Sequence, residues 1–363
     1  MVLQTTPHTT SNSTVTPNEL RVLHLAGSRV SDFYYNVSII YARDVVQPAG
    51  VNSYYAVIHP DGCWQLGVCL NQLSEKMSLQ EMIAQLPEVD VVVPHLFCFP
   101  GMTSFRAFFE DMLGIPVVGS AAPCTALAAN KAHTRRVVAD AGVRVANAQQ
   151  LRSGETVTMQ PPLIVKPNSE DNSLGVTLVE NENQIADALS AGFELDDTLL
   201  IEDYIPGREL RVGVVERNGQ LQVLPMIEYL FTPDNPIRTL EDKLEIQSDG
   251  LPGSQPKNPS ATPVCPANVT PELFEKLASA AKQSHIALGC RDYSLYDFRV
   301  HGETGEPYLL EAGLFWSFNK ISMISRMLSA DGQRLEDVAL EVWQQAAGRT
   351  RVACGSLFKS VNS

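Results

Sequence analysis

The chain has 363 residues, 44% of them hydrophobic, and a formal net charge of −14. That length points to two or three domains, with a core large enough to need neither disulfides nor a structural metal. The acidity excludes the clustered basic surface that sequence-independent binding to nucleic acid or anionic membranes requires, so neither is expected as a partner.

Residues 1–19 are rich in Thr, Ser and Pro and short of large apolar side chains, the composition of a disordered tail. They lack the basic and apolar regions of a secretory signal. No apolar run approaches the ~18 residues that cross a bilayer. Seven scattered cysteines include no C-x-x-C and no zinc-like spacing, so free thiols in a reducing compartment are expected. Together these features predict a cytoplasmic protein.

Folding signals begin at Arg21. Residues 22–28 (VLHLAGS) read as a buried strand running into a glycine turn, and 32–44 have helical apolar spacing. Residues 89–97 predict a second buried strand, 105–113 a helix and 115–119 a third strand. This alternation implies a parallel, helix-covered sheet, placed at 20–125. A helix is predicted over 126–141. A strand at 162–167, a polar loop at 168–175 and a strand at 176–179 form a hairpin rather than a strand-to-helix phosphate loop. A short helix at 183–191 and a strand at 199–205 follow. Residues 232–271 are dense in Pro, Asn, Asp and Ser and read as one long loop, of the kind usually functional or disordered. A helix at 272–288 precedes apolar runs at 293–300 and 307–312, a second hairpin with a long polar tip.

The sequence has no G-x-x-x-x-G-K-[ST], G-x-G-x-x-G, H-E-x-x-H or G-x-S-x-G motif. The candidates for chemistry are therefore individual residues. Asp297 and Glu311 sit on the two arms of the last hairpin, where antiparallel pairing would bring their carboxylates together. Such a pair repels unless it is protonated or bridged by cations, and hard oxygen ligands suit Mg²⁺. Solvent-exposed strand-end acids are the alternative. Lys166 closes an apolar strand as a phosphate-binding lysine would, or it snorkels to the surface. Lys131 opens a helix and Lys243 lies in the long loop; each is a phosphate candidate or an ordinary surface cation. Glu202 and Glu209 could accept hydrogen bonds from an adenine amino group or a ribose, or serve as edge charges.

The order of these blocks resembles the ATP-grasp superfamily, in particular its D-alanine–D-alanine ligase branch, over residues 21–345. The resemblance is carried by Val118-Gly119-Ser120 with Asn130-Lys131, by Ile164-Val165-Lys166-Pro167 with its Ser-Leu-Gly loop, by Ile201-Glu202 through Leu210, and by Leu288-Gly289-Cys290 through Asp297 to Glu311. It implies an α/β and α+β ATP-grasp fold. An N-terminal parallel-sheet domain (20–125) would precede two α+β subdomains (126–207 and 208–350, with a mobile loop at 232–271) that clamp ATP, and 351–363 would be a tail. It further implies ATP and Mg²⁺ as cofactors, small-molecule substrates and a homodimer.

Carried over by position, the resemblance assigns ATP contacts to Lys131, Lys166, Asn172, Ser173, Gly175, Glu202, Tyr204, Ile205 and Glu209. It assigns Mg²⁺ to Asp297 and Glu311, loop closure to Lys243 and the second substrate's carboxylate to Ser322. The sequence also departs from the family pattern. Gly313 replaces the usual metal-binding Asn, leaving Asn319 or water as candidate donors. Leu295 replaces the arginine that stabilises the oxyanion in dipeptide synthesis. Arg299 is the candidate replacement, with pairing elsewhere as the alternative. Leu314-Phe315-Trp316-Ser317-Phe318 replaces a Pro-Gly turn.

These departures, with His24-Leu25-x-Gly27-Ser28, Ser31-Asp32-Phe33, Pro100-Gly101-Met102-Thr103 and Asp171-Asn172-Ser173-Leu174-Gly175-Val176, are similar to mycosporine-glycine–amino acid ligases. In that family ATP activates the enolic oxygen of a cyclohexenone, and an amino acid such as Ser, Thr or Gly replaces it. A dipeptide ligase, and a catalytically silent ATP-binding regulatory protein, are the competing expectations.

Overall fold

A computed structural model describes residues 19–170, 173–232, 236–238 and 262–349. The first sheet starts with β1 (Leu20–Gly27). Helix α1 (Asp32–Arg43), N-capped by Ser31, crosses to β2 (Val51–Ile58), which runs parallel to β1. β3 (Trp64–Cys69) and β4 (Gln72–Leu73) return antiparallel, and α2 (Leu79–Gln85) leads to β5 (Val91–Pro94), again parallel to β1. The order is β4-β3-β2-β1-β5, so the predicted parallel arrangement forms the centre and a two-strand antiparallel edge is added. At the end of β1 the chain needs a glycine. Gly27 has φ +91°, and a Cβ there would lie 1.9 Å from the Ile58 carbonyl oxygen.

Two predicted elements are shorter than expected. The helix predicted over 105–113 is a single α-turn, α4 (Ser104–Ala107), running into a π-type turn, Phe108–Met112, and a short α3 (Phe99–Met102) precedes it. The strand at 115–119 is reduced to one bridge, Val92 to Val117. The helix predicted over 126–141 is likewise two: α5 (Ala122–Ala128) and α6 (Lys131–Asp140). Asn130 divides them, because its side chain accepts from the His133 N–H at 2.9 Å and starts a new helix.

The second sheet is antiparallel. It contains β6 (Ala148–Arg152), β7 (Leu163–Pro167), β8 (Thr177–Val179) and β9 (Thr198–Asp203) in the order β6-β9-β7-β8, with α7 (Ile185–Phe193) packed on it. The third sheet holds β10 (Gly207–Arg217), β11 (Gln220–Val223), β12 (Ile227–Leu230), β13 (Thr262–Val264), β14 (Tyr293–His301) and β15 (Pro307–Gly313). Its order is β13-β12-β10-β14-β15, with β11 paired to β10. β13 corrects the expectation of an unbroken loop over 232–271: backbone pairing with β12 recruits its end into the sheet. Most of that stretch lies outside the described residues.

Helix α8 (Pro271–Ala287) covers this sheet through Leu277, Ala278 and Ala281. Helices α9 (Met323–Ala330) and α10 (Leu335–Ala347) close the chain. A single apolar cluster joins the first sheet to the third: Val22, Val91 and Val93 share it with Trp316, Phe318 and Trp343. The aromatic segment after β15 is thus largely core, with Trp316 stacked on Phe318 at 4.0 Å. No helix among the described residues is long and apolar enough to cross a membrane.

Candidate active site

The second and third sheets face each other across a cleft of about 740 Å³. Lys131, Lys166, Ser173, Glu202, Tyr204, Ile205, Glu209, Asp297, Arg299 and Glu311 all line it. Gly175 sits in the same β7–β8 turn, with φ +71°, but does not line the cleft. Asn172 and Lys243 lie outside the described residues.

On the second sheet, β7 and β9 pair antiparallel, so Lys166 and Glu202 stand on neighbouring strands. Their charged ends meet at 2.5 Å, both nearly buried, and Arg135 approaches the other Glu202 oxygen at 3.4 Å. The Lys166 ammonium is therefore fixed by a carboxylate instead of snorkelling. Lys131 opens α6, and its ammonium donates to the Glu170 carbonyl at the β7–β8 turn. The helix start is tied to that turn as well: the Ala132 N–H donates to the Asn168 side chain at 2.9 Å. Two lysines from different elements thus converge on one end of the cleft.

On the third sheet, Asp297 is the register partner of Glu311 across β14 and β15, and of Arg211 across β10 and β14. The β14–β15 ladder slips at this point, leaving Leu310 unpaired, and both Leu310 and Glu311 face the cleft. The Arg211 guanidinium grips Asp297 with Nε on one carboxylate oxygen and Nη2 on the other. Burial opposes the Arg211 charge, but Asp297, Tyr229 and Glu311 outweigh it and hold its pKa above that of an ordinary arginine. Arg238 bridges Glu209 (2.5 Å) and Asp297 (2.9 Å), with its guanidinium 3.8 Å from the centre of the Tyr229 ring.

Sequence reasoning missed Arg211 and Arg238. The signal for Arg211 was available: Glu209 and Arg211 alternate on one face of GRELRVGVVER, the β10 segment. Nothing in the sequence placed Arg238 against Asp297.

Several candidates have other contacts. Arg299 pairs with Glu209 at 3.3 Å and donates to the carbonyls of Gly207 (2.9 Å) and Pro236 (2.5 Å). It therefore braces Glu209, which is the pairing-elsewhere alternative, and does not reach toward the position of Leu295. Asn319 is buried, and its side-chain oxygen accepts from the Ser322 N–H at 2.9 Å. It is a turn residue, not a replacement for the missing metal-ligand Asn. Ser322 is outside the cleft lining. It N-caps α9, accepts from the Trp316 indole at 3.1 Å and donates to the Asn319 carbonyl at 3.1 Å.

Leu295 lies two residues from Asp297 along β14. It stands between Gly213 on β10 and Gly313 on β15 and packs against the main apolar cluster. A Cβ on Gly213 would come within 2.6 Å of the Met327 sulfur and 3.7 Å of Leu295. The side of the site where the family has an arginine is therefore filled by apolar packing.

The carboxylate pair Asp297 and Glu311, opposed in register at the cleft wall, fits a hard divalent cation bound together with nucleotide phosphates. Among the described residues, no group of three or more His, Cys, Asp or Glu is arranged to hold a metal by itself. The set is thus of the kind that needs phosphate oxygens to complete it. With two lysines and an opposed pair of carboxylates in its lining, the cleft can bind a polyphosphate and neutralise it.

The profile of the family described as D-ala D-ala ligase C-terminus matches residues 137–342. A D-alanine–D-alanine ligase of Geobacter sulfurreducens is 30% identical over 236 residues, covering 63% of this chain and 68% of that protein. One from Chlorobium luteolum is 28% identical over 337 residues, covering 82% and 89%. Among solved structures, the VanG D-Ala:D-Ser ligase of Enterococcus faecalis superposes with a TM-score of 0.72 at 19% identity, covering 90% of this chain and 99% of that one. The D-alanine–D-alanine ligase of Coxiella burnetii gives 0.71 at 18% identity, covering 91% and 94%.

Proposed function

The chain belongs to the D-alanine–D-alanine ligase family of ATP-grasp, ADP-forming carbon–nitrogen ligases, and from that premise we propose that its substrate is the cyclohexenone ring of mycosporine-glycine. ATP phosphorylates the enolic oxygen of the ring. The amine of a second amino acid then attacks the activated ring carbon, and phosphate leaves. The products are a disubstituted imine, ADP and phosphate.

The observation that carries this reading is Leu295. Attack on an acyl phosphate builds negative charge on the oxygen of the attacked carbon, and a dipeptide ligase needs a cation there. In the phosphorylated ring the electron pair displaced by the attacking amine moves through the conjugated system to the nitrogen already carried by the ring, so no oxyanion forms on the attacked carbon and an apolar residue at that place is tolerated. An aromatic series also supports the reading: Tyr34 neighbours Phe97, and Phe97 and Tyr41 both meet Phe315, just beyond Glu311, at centroid distances of 6.5, 5.4 and 5.3 Å. These partly buried rings offer stacking surface to a flat conjugated substrate.

In this mechanism Lys131, Lys166 and the turn bearing Asn172, Ser173 and Gly175 hold the nucleotide phosphates. Glu202, Tyr204 and Ile205 meet the base, and Glu209 the ribose. Asp297 and Glu311 would hold Mg²⁺, which when bound would supply positive charge to neutralise phosphoryl oxygens. Lys243 closes over the site and excludes water. Ser322, at the start of α9, receives the second substrate's carboxylate. Arg238 must release Asp297 and Glu209 before nucleotide and metal can use them.

The second reading, synthesis of D-alanyl-D-alanine or a related dipeptide, has the names of the sequence relatives in its favour. The deciding experiment follows ADP release with Mg²⁺-ATP and mycosporine-glycine across a panel of L- and D-amino acids, together with absorbance. Amino-acid-dependent ADP release with a red-shifted product supports the ring ligase. Turnover with D-alanine alone, and none with the ring, overturns it in favour of the dipeptide ligase. Bound ATP with silence in both assays points to the regulatory alternative.

A further inference from the structure

Resting on the reading of the cleft as an ATP and Mg²⁺ site, we propose that it takes one divalent cation, between Asp297 and Glu311, and that the guanidinium of Arg211 supplies the fixed positive charge of a second.

The donor count limits the metals. A carboxylate offers about four lone-pair positions. On Asp297 the Arg211 fork uses one on each oxygen, and Arg238 uses a third. Once Arg238 withdraws, Asp297 can serve a cation through one oxygen while Arg211 keeps its grip. A second cation would have to share Glu311 with a further donor two residues along β15, and that residue is Gly313, which has no side chain to offer. Asn319 cannot stand in, because it is buried and bonded in the turn before α9.

The charge that a second cation would bring is already present. Arg211 is the register partner of Asp297 and acts electrostatically on Glu311 as well. Its side chain is 16% exposed, at the boundary between the charged cleft wall and the apolar row of Leu295. An arginine cannot be lost by chelation or deprotonated in the physiological range, so it is a permanent substitute for a removable ion.

The test counts metal directly. Mn²⁺ is titrated into the protein with a non-hydrolysable ATP analogue carrying a methylene between the β- and γ-phosphorus atoms, and free Mn²⁺ is read by electron paramagnetic resonance. One bound Mn²⁺ per chain is expected; two overturns the proposal. In Arg211→Met a fixed cation beside the metal is gone, so Mn²⁺ binding should tighten roughly tenfold while kcat falls. A residue that merely positions Asp297 gives the opposite sign: Mn²⁺ binding weakens on its removal. Arg211→Lys keeps the charge and loses the fork. Wild-type Mn²⁺ affinity there supports the proposal, and weakening in step with lost geometry overturns it. Should Arg211→Met fail to fold, the wild-type count and the lysine variant still decide. Absence of nucleotide binding in the wild type is a separate outcome that overturns the ATP-site reading itself, and the proposal with it.

Discussion

Two neighbouring rows on one face of the third sheet differ in kind. In the first, Arg211, Asp297 and Glu311 lie side by side across β10, β14 and β15. In the second, two residues along each strand, the same strands present Gly213, Leu295 and Gly313. The strands are shared, and the backbone differs only by the slip in the β14–β15 ladder beside Asp297. What lies over the rows differs more. Asp297 and Glu311 of the first row line the cleft, and the second row meets Met327 of α9 and the apolar cluster that joins the first sheet to the third. The boundary between charged cleft wall and core is therefore two residues wide along each strand. A residue's role at this boundary follows from the covering layer, because buried charge is stable only with partners and buried alkyl groups only without unmet polar neighbours.

The largest expected effect comes from breaking the charged row. Asp297→Asn removes the proposed metal ligand and leaves Arg211 and Arg238 without their shared carboxylate. Turnover should fall about 10³-fold, and stability by about 3–5 kcal/mol, the cost of an uncompensated buried charge. Steady-state kinetics and urea unfolding measure the two separately.

Buried groups that are neutral in the fold should respond to pH instead. Burial lowers His285 to about 4 and His24 to about 3. His285 meets the Ser294 hydroxyl at 2.7 Å, and His24 faces His95 at 3.0 Å. Because the folded-state values lie below the ordinary histidine value near 6.5, the unfolded chain takes up protons first as the pH falls. The contribution of each group is complete above pH 6.5. For His285 it declines by about 3 kcal/mol by pH 4. Urea midpoints at pH 7 and pH 4.5 check this, and His285→Gln should reduce the slope between them.

Converting the apolar row sharpens the comparison. Leu295→Arg places a second guanidinium beside Arg211 and removes packing against the core. Ring-substrate turnover should drop about 30-fold, near 2 kcal/mol, with nucleotide-analogue affinity little changed. A gain of D-alanine turnover in the same variant would instead favour the dipeptide reading. The smallest effect is expected from Gly213→Ala, whose Cβ meets the flexible end of Met327. A loss of about 1–2 kcal/mol in thermal or urea unfolding, with kcat unchanged, would place Gly213 in the packing row only.

Part of this organisation was legible in the chain itself. The last hairpin was readable from two apolar runs split by HGETGE, and with it the opposition of Asp297 and Glu311. The hairpin of β7 and β8 and the helix α8 followed from the same periodicity. β10 was not read as a strand. Its opening Pro206-Gly207 looks like a turn, and a long strand buried at the centre of a sheet lacks clean alternation. The edge strands β3 and β4 and the final helices α9 and α10 were also missed.

The sequence by itself thus determined the ordered blocks of lysines and carboxylates, the hairpins that carry them and the absence of Arg at 295 and Asn at 313. Those are properties of local pattern and residue type. Only the tertiary structure decided that Lys166 is locked to Glu202, that Arg299 braces Glu209, that Arg211 and Arg238 converge on Asp297, and that Ser322 and Asn319 belong to the cap of α9. Such pairings depend on cross-strand register and on which layer covers a strand. Both are set by contacts between residues tens of positions apart, and neither is encoded in any short window of the chain.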